Sequence, residues 1–275
     1  MATYDAPQSA GSTQPKGKVT NTDTNPFASY DEKVAAADVS RYRKNGPRPW
    51  TRTLIEAIKA EGVEGATLLD IGGGIGVIQH ELLDSGAARA TNVEASSAYL
   101  SAAQSESDRR GLVGRVTYHH GDFVDLAKTI QAADVVTLDR VLNVYPDWER
   151  LASLSAERAR RLYGVVIPRD TPFVRLVISA INLVLRLRRQ RVRAAVVPID
   201  ELERILRQRG LTRCFSATVG PAWHCRLSTR SADTSRTWCI KRSCPEVSGC
   251  RKHRAMGFRS LSTILFRVVA LPTAT

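Results

Sequence analysis

A chain of 275 residues with 43% hydrophobic content is long enough for one large domain with its own core, or for one domain with appended arms. Its net charge of +13 is uneven: residues 1–149 hold 15 Lys+Arg against 20 Asp+Glu, and residues 150–275 hold 25 against 7, so the second half suits an acidic partner or presents an arginine-rich solvated surface. The five cysteines, Cys214 to Cys250, are odd in number and no apolar leader opens the sequence, which argues against a disulfide-framed secreted protein and favours the cytoplasm.

Residues 1–26 are polar and rich in Ser, Thr, Ala and Gly, and read as a disordered arm. Residues 27–62 read as helical: Phe27, Tyr30, Val34 and Tyr42 precede Pro47-Arg48-Pro49, then Trp50, Leu54, Ile55 and Ile58 share one helical face up to Gly62. Ala66 to Ile71 is an apolar run expected to be a buried parallel strand. The glycine stretch Gly72 to Gly76 follows it, and Val77 to Leu83 resumes at helical spacing. Strand, glycine turn and helix together are the context of a nucleotide-binding turn. Glycines there permit positive φ and close backbone approach, and the helix start offers free N–H groups to a polar or anionic ligand. The dinucleotide pattern G-x-G-x-x-G requires a glycine at position 77, which is Val77. The stretch instead reads Asp70-x-Gly72-x-Gly74-x-Gly76, with Gly73 inside it.

Arg89 to Glu94 is the second expected strand. Glu94 ends it 18 residues beyond Gly76, where a carboxylate can accept both hydrogen bonds of a ribose diol. Ser96 or Ser97 then caps a helix running towards Arg110. Arg115 to His120 is the third strand, followed by Gly121-Asp122-Phe123. Adjacent His119 and His120 point to opposite faces of a strand and cannot easily share one ion, so no metal site is expected. Ala133 to Asp139 is the fourth strand. Its carboxylate stands at the mouth of the sheet, and the loop Arg140 to Pro146 covers the edge where open α/β sheets bind ligands. Asp147 caps a helix to about Arg160, and Leu162 to Ile167 is the fifth strand.

The glycine motif, with Glu94 and its capping serine, resembles the class I methyltransferases that use S-adenosylmethionine, over roughly residues 27–230. The alternation of elements points to α/β. The resemblance implies a Rossmann-like seven-stranded sheet with helices on both faces and a closing antiparallel hairpin. It implies S-adenosylmethionine as cofactor, held by Asp70, Gly72, Gly73, Gly74, Gly76, Glu94 and Asp139. Asp122 would meet the adenine amino group and Phe123 its ring. It also implies a cap over the cofactor at 27–62, whose Tyr30 and Tyr42 either line the site or pack in the cap. Asp139 with Tyr145-Pro146 is similar to the magnesium-protoporphyrin O-methyltransferase-like small-molecule enzymes, although the histidine expected before Tyr-Pro is Val144 here. A small-molecule acceptor and O-methylation are therefore expected. Tyr42, Arg140, Asn143 and Tyr145 are substrate-side candidates by position. No Asn-Pro-Pro-Tyr or Asp-Pro-Pro-Tyr follows the fourth strand, which argues against base amino methylation. The competing readings are a nucleic-acid-binding methyltransferase using the basic half, and a non-catalytic cofactor-fold binding protein.

Thr171 to Leu187 is strongly apolar with Arg175 inside it, and Arg186, Arg188, Arg189, Arg191 and Arg193 follow. It is short and wrongly charged for a spanning helix. Residues 171–197 read as a lid-like insertion, with Arg175 reaching an anionic edge of the acceptor. The alternative is an interfacial helix at 171–193 on anionic lipid. Pro198 to Arg209 is a helix with Leu202, Ile205 and Leu206 inward. Leu211–Val219 and Ala222–Ser228 form the final hairpin around Gly220-Pro221. Residues 231–275 are an atypical tail expected to lie outside the catalytic domain. Its Cys239, Cys244, Cys250 and His253 lack a C-x-x-C pair and make a weak zinc signal.

Overall fold

The computed structural model describes residues 32–187, 189 and 192–230. The expected arm, Phe27, Tyr30, Arg188, Arg191 and the whole tail with its three cysteines and His253 lie outside the described residues.

The described chain runs α1 (Glu32–Asn45), α2 (Pro49–Ala60), β1 (Thr67–Ile71), α3 (Val77–Leu83), β2 (Arg89–Glu94), α4 (Ser97–Arg109), β3 (Val116–His120), α5 (Phe123–Leu126), β4 (Ala133–Asp139), α6 (Trp148–Arg158), β5 (Ala159–Pro168), α7 (Pro172–Leu187), α8 (Ile199–Gln208), β6 (Leu211–Val219) and β7 (Trp223–Arg230). The seven strands lie in one sheet in the order β3-β2-β1-β4-β5-β7-β6. The first five are parallel, and β7 pairs antiparallel with both β5 and β6. This is the expected α/β sheet with its closing hairpin.

The central strands are apolar on both sides because helices cover both faces. Leu69, Val136 and Tyr163 face a core shared with Leu151 of α6 and Leu202 of α8. Their neighbours Leu68, Val135 and Leu162 face the opposite core, with Leu54 and Ile58 of α2 and Ile78 of α3. Leu54, Ile55 and Ile58 are almost fully buried. Each such burial stabilises by roughly 1.5–3 kcal/mol, so α2 is a firmly seated roof beam and no loose flap.

Two boundaries differ from expectation. β5 begins at Ala159, earlier than Leu162, because Ala133 pairs with Ala159 across an irregularity in the ladder. β7 runs on to Arg230, past Ser228, because Arg230 pairs with Leu211 and its guanidinium donates to the carbonyls of Ala156 and Ala159.

Strand order reverses between β1, which leads outward to β2, and β4, which leads outward to β5. A crevice opens at the carboxyl ends at such a point. The register places Asp70 opposite both Asn92 and Thr137, with Glu94 and Asp139 ending β2 and β4. Three carboxylates therefore gather at one edge.

Candidate active site

The glycine turn is the floor of the cavity. Gly72, Gly74 and Gly76 hold φ of 62°, 54° and 83°, conformations that side chains rarely adopt. Space is equally restrictive. A Cβ on Gly72 would lie 2.5 Å from Val141, and one on Gly73 would lie 2.6 Å from the Asn92 amide. The turn thus brings bare backbone against the crevice, which a flat ligand can approach.

Glu94 ties the second strand to this turn. One carboxylate oxygen accepts from the Gly74 N–H at 2.9 Å and the other from the Ser96 N–H at 2.9 Å. Each retains acceptor capacity, and Glu94 lines the cavity. Burial raises its carboxyl above the ordinary value, against the pull of those N–H groups. Asp70 is 1% exposed. Its Oδ1 accepts from Thr137 at 2.7 Å, and its Oδ2 is buried without a partner. Burial pushes its carboxyl up to about 7, with Asp139 and Glu94 adding to the rise. A buried carboxylate oxygen without a donor, beside a turn that rejects side chains, fits a cavity built for a cationic cofactor.

The other end of the cavity is roofed by α1 and α2. Asp38 of α1 accepts from the Tyr99 hydroxyl at 2.8 Å, and Thr51 of α2 donates to Asp139 at 2.5 Å. The cap is therefore fastened to α4 and to β4. Arg140 stands at the end of β4 with φ of 63° although it is not glycine, a strain of order 1–3 kcal/mol that clusters at functional sites. Its Nε lies 3.3 Å from Asp139. Asn143 lines the cavity, 7% exposed, with a buried side-chain oxygen lacking a partner.

Of the sequence candidates, the cavity gathers Asp70, Gly72, Gly73, Gly74, Glu94, Asp139, Arg140 and Asn143. Gly76 supports it from behind, closing the turn by donating its N–H to the Gly73 carbonyl at 2.9 Å. Other candidates lie elsewhere. Tyr42 is buried away from the cavity, donating to Glu81 at 2.9 Å and stacked on His80. It packs the cap, as the alternative reading had it. Tyr145 donates to Asp122 at 2.8 Å, and Asp122 also caps α5 through the Val124 N–H. Phe123 is 3% exposed in the core. None of these three lines the cavity: Phe123 and Tyr145 pack in and against the core, and Asp122 is engaged by the Tyr145 hydroxyl and the Val124 N–H.

Nor does α7 line it. Val174, Ile178, Ile181 and Leu185 are buried, and Val174 and Ile178 pack on Ala194. Asn182 brackets the Ala194 backbone with bonds of 2.8 and 2.9 Å. Arg175 is exposed and forks onto Asp170 at 2.5 and 2.8 Å. Arg175, which the lid reading aims at an anionic edge of the acceptor, is here paired with Asp170, five residues before it.

Sequence reading missed Asp38, Arg41, Arg48, Thr51 and Trp223, all of which line the cavity. The cue present was the Arg-and-Trp cluster on either side of Pro47 and Pro49; Trp223, on a distant strand, offered none.

Residues 68–162 match the family described as "Methyltransferase domain". No curated protein matches the chain in sequence. Among solved structures, the chain is similar to magnesium protoporphyrin IX methyltransferase from Synechocystis PCC 6803 with bound SAH, at 17% identity and a TM-score of 0.57, covering 75% of this chain and 100% of that one. It is also similar to an O-methyltransferase family protein from Burkholderia thailandensis, at 18% identity and a TM-score of 0.55, covering 74% of this chain and 64% of that one.

Proposed function

We propose that the chain is a class I methyltransferase that takes S-adenosylmethionine as cofactor and methylates an oxygen of a small-molecule acceptor. The observation that carries the reading is the roof. Thr51 and Asp38 fasten α2 and α1 beside the cavity, opposite the glycine turn, leaving a partly covered space for a small molecule.

The cofactor supplies a methyl group already electrophilic on its sulfonium sulfur. The protein's tasks are to hold it, exclude water and place the acceptor oxygen in line, about 3–3.5 Å behind the methyl carbon. Asp70 and Glu94 supply negative charge and acceptors on the cofactor side. The cap excludes water. The unpartnered Asn143 oxygen can accept a hydrogen bond from an acceptor hydroxyl, fixing its direction.

Incubation with radiolabelled cofactor and a cell extract tests this. Label should enter a small-molecule product that chromatography separates from the cofactor, and that product should fall about tenfold or more with Glu94→Ala. Label confined to RNA, DNA or protein would overturn the small-molecule reading.

A peripheral membrane contact is a second reading, favoured by the outer face of α7. Phe173, Leu176, Leu183 and Leu187 are 49%, 69%, 59% and 75% exposed, and Arg186 and Arg189 are exposed beside them. An apolar stripe flanked by arginines suits the interface of an anionic bilayer. The full chain should sediment with phosphatidylserine-containing vesicles, and Leu176→Glu with Leu183→Glu should release it. Equal behaviour of wild type and variant would remove this reading.

A further inference from the structure

Three guanidinium groups from separate segments line the roofed half of the cavity: Arg41 on α1, Arg48 before α2, and Arg140 after β4. Two carboxylates stand with them, and both are already engaged. Asp38 lies 3.0 Å from Arg48 and 4.0 Å from Arg41, and also accepts from Tyr99. Asp139 accepts from Thr51 and Arg140. Asp70 and Glu94 line the same cavity on the glycine-turn side, so the excess is local: three guanidinium groups stand with two carboxylates around α1, α2 and the end of β4.

The surplus falls on Arg41. Its Nε is buried and makes no hydrogen bond, although the same guanidinium reaches the Gly46 carbonyl at 3.2 Å. Burial lowers its pKa, and the nearby Arg48 and Arg140 lower it further against the pull of Asp38. A buried N–H without an acceptor costs stability that an incoming oxygen would restore.

The aromatic residues set the orientation. Arg140 lies over the rings of Trp50 and Trp223 at 5.6 and 5.9 Å, and Arg48 lies over Trp50 at 5.8 Å. The two indoles are themselves 5.2 Å apart. A guanidinium whose face is covered by an indole keeps its N–H edge for a planar oxyanion. Guanidinium edges match a carboxylate in shape as well as charge.

We propose that the acceptor is an anion, and that Arg41 and Arg48, with Arg140 beside them, grip its carboxylate while Trp223 lies against its body. The inference rests on the small-molecule reading and narrows it to acids. A neutral acceptor would leave the extra guanidinium uncompensated.

Calorimetry on the full chain saturated with S-adenosylhomocysteine tests it, using 1-naphthoate and the neutral 1-naphthamide as probes of matched size. Naphthoate should bind about tenfold or more tightly than naphthamide. Arg41→Gln and Arg48→Gln, made separately, should each cost naphthoate about tenfold and leave naphthamide unchanged. Arg41→Lys, which keeps the charge and loses the fork, should fall between. No preference for naphthoate, including no binding of either probe, would overturn the proposal, as would unchanged naphthoate affinity in the folded variants. The cofactor product is titrated first and separately. Its failure to bind would count against the cofactor reading, and loss of the naphthoate preference against this one.

Discussion

Asp70 sits under the glycine turn with one oxygen bonded to Thr137 and the other unpartnered, and burial pushes its carboxyl up to about 7. A cationic ligand in the same cavity favours the ionised form and lowers that pKa. Affinity for S-adenosylmethionine should therefore rise as pH climbs from 6 to 8, by up to about tenfold per unit below 7. The demethylated product lacks the sulfonium charge and should show a shallower rise, and Asp70→Asn should flatten both. A pH-independent affinity in the wild type would contradict this account of Asp70. Glu94 acts differently, by fixing the Gly74 and Ser96 backbone and presenting acceptor oxygens. Glu94→Ala should lose roughly 1.5–3 kcal/mol of cofactor binding, or about 10- to 150-fold. Unchanged affinity would show that Glu94 does not touch the ligand.

The elements α1, α3 and α4 are joined by buried polar groups that also respond to pH. Glu106 of α4 is fully buried and meets Arg43, Arg109 and Arg110. Burial would raise its carboxyl, but hydrogen bonds from Arg109, Arg43 and Arg110 outweigh it and hold it down at about 2. His80 of α3 bonds Ser107 at 2.9 Å, and burial, with Arg110 nearby, lowers its pKa to about 4. The unfolded chain, with histidine near 6.5, binds more protons between pH 6.5 and 4. Stability from His80 is therefore lost as pH falls through that window, by about 3 kcal/mol. Asp70 works in the opposite sense, since the folded state holds its proton more tightly. The comparison that isolates His80 is His80→Gln, whose stability relative to wild type should improve by about 3 kcal/mol between pH 7 and 4. A constant difference in chemical denaturation would contradict the buried neutral imidazole. None of this network was legible in the sequence. Gln79 meets Asn92, Ser107 and Tyr118 across intervals with no local pattern. The glycine turn, Glu94 and the strand run were legible because each rests on short-range periodicity or on a fixed place at a strand end. The choice between the two roles of Tyr42, and the Asp170 partner of Arg175, were not legible for the complementary reason. Proximity in sequence to a strand end or cap does not set which way a side chain points.

For the molecule as a whole, six arginines among the described residues of the second half are paired with carboxylates of that half. Glu203 alone pairs with Arg207, Arg213 and Arg226, and Arg204, Arg209 and Arg175 pair with Glu201, Glu157 and Asp170. Among the described residues the sheet ends with β7, which pairs with β6 as far as Arg230 and with β5 as far as Thr229. A chain ending at Arg230 should fold, keep its Tm within a few degrees and bind the cofactor product as the full chain does. Failure to fold would show that residues 231–275 support the domain. The most direct test of the cofactor site is a calorimetric titration of S-adenosylhomocysteine and of NAD into the full chain. The account predicts one S-adenosylhomocysteine per chain, weakened by Glu94→Ala and by Gly73→Ala, whose Cβ would press on the Asn92 amide, with no comparable NAD binding. Tight NAD binding without S-adenosylhomocysteine binding would contradict it.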